Sequence, residues 1–405
     1  MESSCGVTSN DLPVRNVGSR LATGQQGFVS CGARSTALLN RRKIPDDILN
    51  NEALNRAIAI LPSNYNFELH KTLWRIRTDS PKTVALQFPE GLLMYSCTIA
   101  DILKSFGGVH VLILGDVTYG ACCIDDLTAH KLGADLLVHY GHSCLVPVSV
   151  TKMKIMYVFV EIFFESSHFI ECVKNAFPRE TRIALMGTIQ FVSIVHQAAS
   201  ELSKHFAQCV IPQAKPLSAG ETLGCTSPVI SGAEVLVFVA DGRFHLEAAM
   251  IQNPSLSAFR YDPYSKYLTA EGYDIEKMKS TRLDAISRAK GAYTFGLVLG
   301  TLGRQGNPPI FDRLRKILHL RGKRVIPFLM SELNPSKLEL ISAVEVWVQV
   351  ACPRLSIDWS GGFNKPILTP YELEVAMEET PFLEVYPMSY YRADGGLYTN
   401  GGHSR

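Results

Sequence analysis

The chain has 405 residues, 46% hydrophobic and 19% charged, with 40 basic and 38 acidic side chains leaving a formal charge of only +2. At roughly 100–200 residues per domain this length allows two to four domains, and the composition excludes disorder throughout. The near balance of charge argues against a grip on nucleic-acid phosphates, and no uncharged apolar run nears the roughly 20 residues of a membrane span.

Residues 1–42 are rich in Ser, Gly and Arg without periodicity and read as a flexible leader. The leader holds no apolar signal core, so the cytoplasm is the expected compartment. An amphipathic helix is predicted from Pro45 to Ile60, ended by Leu61-Pro-Ser-Asn-Tyr-Asn66. From there to about Met388, short apolar runs alternate with helical spacers such as Thr98–Phe106 and Pro309–Leu320. The last stretch, 389–405, is Gly- and Tyr-rich and reads as a flexible tail.

The apolar runs recur on a common ruler. With counts started at Val84, Ile183 and Phe295, second strands begin near Val109, Gln208 and Arg324, offsets of 25, 25 and 29. Third strands sit at Leu136, Leu236 and Glu345, and fourth extended segments near Tyr157, Ser257 and Ile367. The chain is therefore read as three similar α/β domains with mainly parallel sheets, in pseudo-threefold arrangement around a central cluster. The spans are 43–178 (helix plus unit one), 179–290 (unit two) and 291–388 (unit three). Ligands of such sheets bind outside the carboxyl ends of the strands.

Ten cysteines have to be placed on this ruler, and none forms a Cys-x-x-Cys pair. In a long chain that builds its own core they are core fillers, ligands or catalysts rather than disulfides. Cys122 and Cys225 follow the second strands of units one and two, and Cys352 follows the third strand of unit three. One cysteine per unit suits a metal with an open position: a [4Fe–4S] cluster on three thiolates, or zinc with three cysteines and a water. Cys123 adjoins Cys122, and neighbours on a strand point opposite ways, so only one of the two is expected at the centre. Cys144, in His139-Tyr-Gly-His-Ser-Cys144, is the rival ligand. Cys97, Cys172 and Cys209 read as core or helix residues.

The segments after the third strands are polar: His139–His142, Asp241–His245 and Cys352–Asp358. The glycine-rich turn Gly300-Thr-Leu-Gly-Arg-Gln-Gly306 lets backbone approach a ligand but lacks the G-x-G-x-x-G order of a dinucleotide site. By loop position Arg304, Asp358, His142 and His245 are candidate cofactor-binding residues. Arg243 and Arg354 could also hold a carboxylate.

Several ordered stretches together resemble the diphthamide biosynthesis family, in its eukaryotic synthase subunit 1 form. They are Leu61-Pro-Ser-Asn-Tyr-Asn-Phe67, Gln87-Phe-Pro-Glu-Gly91, Gly115-Asp-Val-Thr-Tyr-Gly-Ala-Cys-Cys-Ile-Asp-Asp126, His139–Cys144, Asp241–His245, Tyr261-Asp-Pro-Tyr-Ser-Lys266, Gly300–Gly306 and Gln349–Trp359. They cover roughly residues 45–390. The resemblance implies three α/β domains, with Cys122, Cys225 and Cys352 holding a [4Fe–4S] cluster.

It further implies a noncanonical radical S-adenosylmethionine transferase. Such an enzyme moves the 3-amino-3-carboxypropyl group onto a histidine of translation elongation factor 2, the first step of diphthamide formation. The implied partners are a paralogous synthase subunit 2, forming a heterodimer, a small metal-binding electron-donor protein, and elongation factor 2 as substrate. No nucleic acid or membrane is expected. The paralogue generally does not keep all three cysteines, so their presence here favours the catalytic subunit. The competing expectations are a zinc-dependent hydrolase built on His139, His142 and Cys144 near Cys122, and a non-catalytic scaffold subunit.

Overall fold

The computed structural model describes residues 44–400, apart from Val117; the leader expected at 1–42 lies outside the described residues. The single helix expected from Pro45 to Ile60 is instead two, Asp46–Leu49 and Glu52–Ile58. The break is local chemistry. Asn50 closes the first, and the Asn51 side chain accepts the Leu54 N–H at 3.0 Å to cap the second.

Three sheets with one strand order follow. Unit one has Thr83–Gln87, His110–Ile113, Leu136–Tyr140 and Lys154–Val158. Unit two has Arg182–Gly187, Gln208–Val210, Val235–Val239 and Ser257–Asp262. Unit three has Thr294–Gly300, Arg324–Met330, Val346–Val350 and Ile367–Leu368. In each the spatial order is second, first, third, fourth, all parallel. Unit two alone adds an antiparallel edge strand, Tyr267–Glu271. Val84, Ile183 and Phe295 occupy equivalent places, paired with Leu136, Val235 and Val346, the first residues of the third-strand pairings. The sequence repeat is therefore a repeat of register.

Continuous apolar runs suit these strands because both sheet faces are covered. Alternate side chains enter opposite cores. Val84 and Leu86 pack into one cluster of unit one, Ala85 into the other. Ile183 and Leu185 face one side of unit two, Ala184 and Met186 the other. The helix Ser96–Gly107 stands at the place of the predicted Thr98–Phe106, and Pro308–Leu320 at that of Pro309–Leu320. Asn307 caps the latter by accepting the Ile310 N–H at 3.1 Å. Among the described residues, no helix is long and apolar enough to cross a membrane.

The packing moves two of the expected boundaries. Helix Ser167–Ala176 lies before residue 178, yet Phe169, Ile170 and Val173 pack into the core of unit two. Helix Ile275–Gly291 lies before 291, yet Met278, Ala285, Ile286 and Ala289 join the core of unit three. Helix Leu69–Asp79 stands in the same relation to unit one. The structural repeat thus begins with a helix, which buries its apolar face on the strands that come after it.

A buried ion pair locks this arrangement in unit three. The Arg282 guanidinium donates to Glu372 from Nε at 2.6 Å and from Nη2 at 2.8 Å. It also donates to the Ser356 and Ile367 carbonyls, each at 2.7 Å, and both charged side chains are fully buried. Tyr386 donates to the same carboxylate at 2.8 Å, and Glu372 closes a capping box with Thr369. Removing one partner strands a buried charge. Arg282→Met is expected to destabilise unit three by about 3–5 kcal/mol. Adding Glu372→Leu should recover only part of this, because two carbonyls stay unpaired. Urea unfolding followed through Trp347, which is buried in this unit, measures both.

Candidate metal centre

Cys122, Cys225 and Cys352 lie close enough for their charges to act on one another. Each is carried by a loop that a neighbouring unit holds in place.

Cys122 and Cys123 sit on a tight turn in which the Cys123 N–H donates to the Gly120 carbonyl at 2.9 Å. Gln87, from the end of the first strand, donates to the Cys123 carbonyl at 3.0 Å and accepts the Asp125 N–H at 3.2 Å. The glycine-rich turn of unit three closes on this loop. The Arg304 N–H donates to the Cys122 carbonyl at 2.8 Å, and Gln305 Nε2 donates to Cys123 Sγ at 3.4 Å. Gly303, at φ +54°, approaches so closely that a Cβ would stand 2.5 Å from the Cys123 carbonyl carbon. Only glycine fits there.

Cys225 is held from two sides. Its carbonyl accepts the Tyr390 N–H at 3.2 Å, while the preceding Gly224 leaves room for the Phe244 ring, which a Cβ would strike at 2.1 Å. Cys352 follows the third strand of unit three, in a turn where its carbonyl accepts Gln349 Nε2 at 2.9 Å and the Leu355 N–H at 3.1 Å.

Arg354, two residues after Cys352, joins the last two loops. It is 3% exposed. It donates to Asp358 Oδ2 at 2.7 Å, to the Gly224 and Phe244 carbonyls at 3.1 and 2.9 Å, and to the Glu247 carboxylate. Its guanidinium carbon lies 4.3 Å from the centroid of the Phe244 ring.

The thiols are electrostatically frustrated. Burial and the charge of Cys352 push Cys225 up to about 12. Burial also raises Cys352. Cys122 is raised by its hydrogen bond to Cys123, by burial and by the neighbouring thiols. Without a positive partner these thiols keep their protons.

The four candidate cofactor residues divide into two pairs. The Arg304 fork is engaged by Asp126, Nε to Oδ1 at 2.9 Å and Nη2 to Oδ2 at 2.6 Å. Asp358 is engaged by Arg354. Both therefore act between protein groups. His142 and His245 come together instead, and each has a buried Nδ1 with no hydrogen-bond partner among the described residues. Burial holds both imidazoles down to about 4, with the nearby His245 adding to the effect on His142 and Arg354 to that on His245. They are neutral at pH 7. Glu221, fully buried in the Cys225 loop and facing Ser143, also leaves Oε1 unpartnered.

Three expectations are corrected. Cys123 does not point away from Cys122. Strand alternation does not apply on a turn, and the two thiols are hydrogen-bonded to each other. Cys144 does not join the histidines: its residue is exposed, while His139 is sealed in the core with Nδ1 2.8 Å from Gln87 Oε1. Among the described residues, no three His, Cys, Asp or Glu side chains are gathered as closely as one metal ion requires. Finally, the stretch from 389 is not free over its described part. Ser389 pairs with Thr226, Ala393 N–H donates to the Lys215 carbonyl at 3.0 Å, and Tyr391 packs beside Cys122 and Leu145. Its tyrosines are the available signal: Tyr390, Tyr391 and Tyr398 have apolar rings to bury.

The family described as "Putative diphthamide synthesis protein" matches residues 88–387. Proteins named 2-(3-amino-3-carboxypropyl)histidine synthase subunit 1 are similar over most of the chain. The one from Dictyostelium discoideum is 51% identical over 368 residues, 89% of this chain and 78% of its own. The one from Homo sapiens is 52% identical over 368 residues, 90% and 84% of the two chains. Among solved structures, Dph2 from Pyrococcus horikoshii with a 4Fe-4S cluster is similar at a TM-score of 0.67 and 26% identity, over 79% of this chain and 93% of that one. The chain belongs to the diphthamide synthesis protein family.

Proposed function

We propose that this chain is the catalytic subunit of a [4Fe–4S]-dependent enzyme. Its reaction transfers the 3-amino-3-carboxypropyl group from S-adenosylmethionine to a histidine of translation elongation factor 2. This would be the first step of diphthamide formation. The observation that carries the reading is that three half-buried cysteines, one from each sheet unit, lie close enough for their charges to act on one another. The donor set fits the group. Soft thiolates bind iron–sulfur clusters, and thiols held neutral by burial and mutual repulsion release their protons to a cationic core. Cys122, Cys225 and Cys352 would hold it, leaving one position without a protein ligand.

When bound, such a cluster supplies one electron to a sulfonium, which breaks its aminocarboxypropyl carbon–sulfur bond and leaves methylthioadenosine. The aminocarboxypropyl radical would add to imidazole C2 of the acceptor, and the adduct would give one electron back to the oxidised cluster and one proton to a base, restoring the aromatic ring. The protein's own work is positioning and exclusion of water. His142 and His245 are proposed to line the cofactor site. Their neutral rings do not repel a sulfonium, and their buried Nδ1 atoms have hydrogen-bonding capacity to offer. Arg304 and Arg354 act indirectly, by holding the Cys122 and Cys225 loops.

A paralogous subunit 2, a small metal-binding electron donor and elongation factor 2 are the proposed partners, and the cytoplasm the proposed compartment. An exposed Cys144 and a His139 already engaged by Gln87 in the core do not favour the zinc hydrolase.

Anaerobic reconstitution with iron and sulfide tests this reading. Cys122→Ala, Cys225→Ala and Cys352→Ala should each lose the broad visible absorption and most of the bound iron. Each should also stop release of methylthioadenosine in single turnover with reductant, S-adenosylmethionine and elongation factor 2. Cys123→Ala should keep its iron; if it bleaches while Cys122→Ala does not, the ligand is the neighbour. A colourless protein with stoichiometric zinc and full activity would refute the proposal. Arg304→Gln, which leaves the buried Asp126 without its cation, should fold but lose iron to a chelator faster than the parent chain.

A further inference from the structure

The C-terminal segment reaches the thiol centre through its backbone. Ser227 N–H donates to the Met388 carbonyl at 2.8 Å, and Tyr390 N–H donates to the Cys225 carbonyl at 3.2 Å. Tyr391 N–H donates to Thr226 Oγ1 at 2.9 Å. Asn400 N–H donates back to the Tyr390 carbonyl at 2.7 Å, folding the segment on itself. The strand-like pairing of Ser389 with Thr226 sets the register. A slip by one residue would turn Tyr390 away from Cys225.

Two phenols are thereby placed beside the thiols, and their hydroxyls differ. Tyr391 packs on the same small apolar cluster as Cys122, and its hydroxyl oxygen faces Asn400. Tyr390 is 6% exposed. Its hydroxyl is buried with no partner among the described residues. A cavity of about 20 Å³ beside it is lined by Cys225, Pro353 and Tyr390 and, on its other side, by Thr369, Tyr386 and Thr399. A buried hydroxyl without a partner costs about 1–3 kcal/mol, so the chain keeps it only where something accepts its proton. The charges of Cys225, Cys352 and Cys122 all act on the Tyr390 phenol, and Cys225 is the sulfur on the cavity wall.

We propose that the C-terminal segment 388–400 is a strap over the thiol centre, and that the Tyr390 hydroxyl donates a hydrogen bond to a sulfur of the bound iron–sulfur cluster. This rests on the cluster reading above. Tyr390 is then a positioning and tuning residue. A donor to sulfur stabilises the more negative, reduced state and raises the reduction potential.

The test uses the full chain reconstituted anaerobically. Tyr390→Phe keeps the ring and its packing and removes only the hydroxyl. It should bind as much iron as the parent chain, with a midpoint potential shifted to a more negative value. Tyr391→Phe, whose hydroxyl faces Asn400, should leave the potential unchanged. Equal potentials for the parent and Tyr390→Phe would overturn the inference, as would an equal shift in both variants. A parent chain that binds no iron would instead overturn the cluster reading, and this inference with it.

Discussion

One guanidinium fixes where two of the three thiols stand. Arg354 follows Cys352 by two residues and binds the Gly224 carbonyl, next to Cys225. A cation this deeply buried is tolerable only if it is paired and its donors are satisfied. Asp358 and Glu247 supply the charge, and the Gly224 and Phe244 carbonyls accept the remaining donors. The requirement is mutual. The Cys225 loop cannot drift without stranding the cation, and the helix starting at Arg354 cannot tilt without losing the loop. Cys225 and Cys352 are 127 residues apart. A tie of this kind holds their separation against the entropy of so long a connection.

Arg304 does the corresponding work on the other side. Its backbone N–H and side chain grip the Cys122 loop through the Cys122 carbonyl and Asp126. Both guanidiniums come from unit three, one from the loop after its first strand and one from the loop after its third. Unit three therefore faces both partners, while giving its own cysteine from a different loop than they do. Unit three presents its thiol where Gln349 and the start of a helix position Cys352, on the same loop that carries Arg354.

The strands and their register were legible from one sequence because burial on both sheet faces writes itself as uninterrupted apolar runs. Val84, Ile183 and Phe295 mark equivalent positions for that reason. The unit boundaries were less legible. Helices Ser167–Ala176 and Ile275–Gly291 are amphipathic either way, and the identity of the core that takes their apolar face is a tertiary fact. The same holds for the arginines. A polar loop after a strand announces a site, but nothing local tells whether Arg304 faces a ligand or Asp126. Cys123 was misplaced because alternation was carried from a strand onto a turn. The tail was misjudged because glycines suggest freedom, whereas here Gly395 and Gly396 stand where a Cβ would meet Thr399 and Tyr398.

These differences share one cause, which also bears on how the centre forms. Thiols gathered and buried in this way resist ionisation, because each thiolate would be desolvated and would repel the next. The surrounding groups therefore hold them in place before a cation draws off their protons. The ties that do so include hydrogen bonds to the carbonyls of Cys122, Cys225 and Cys352, while Cys225 Sγ also lies 3.7 Å from Thr226 Oγ1. The main chain thus carries much of the restraint. Gln305 donates to Cys123, the thiol not assigned to the cluster. A site assembled through its backbone keeps its shape whether or not the sulfurs are ligated, which suits a centre that has to accept its metal after the chain has folded.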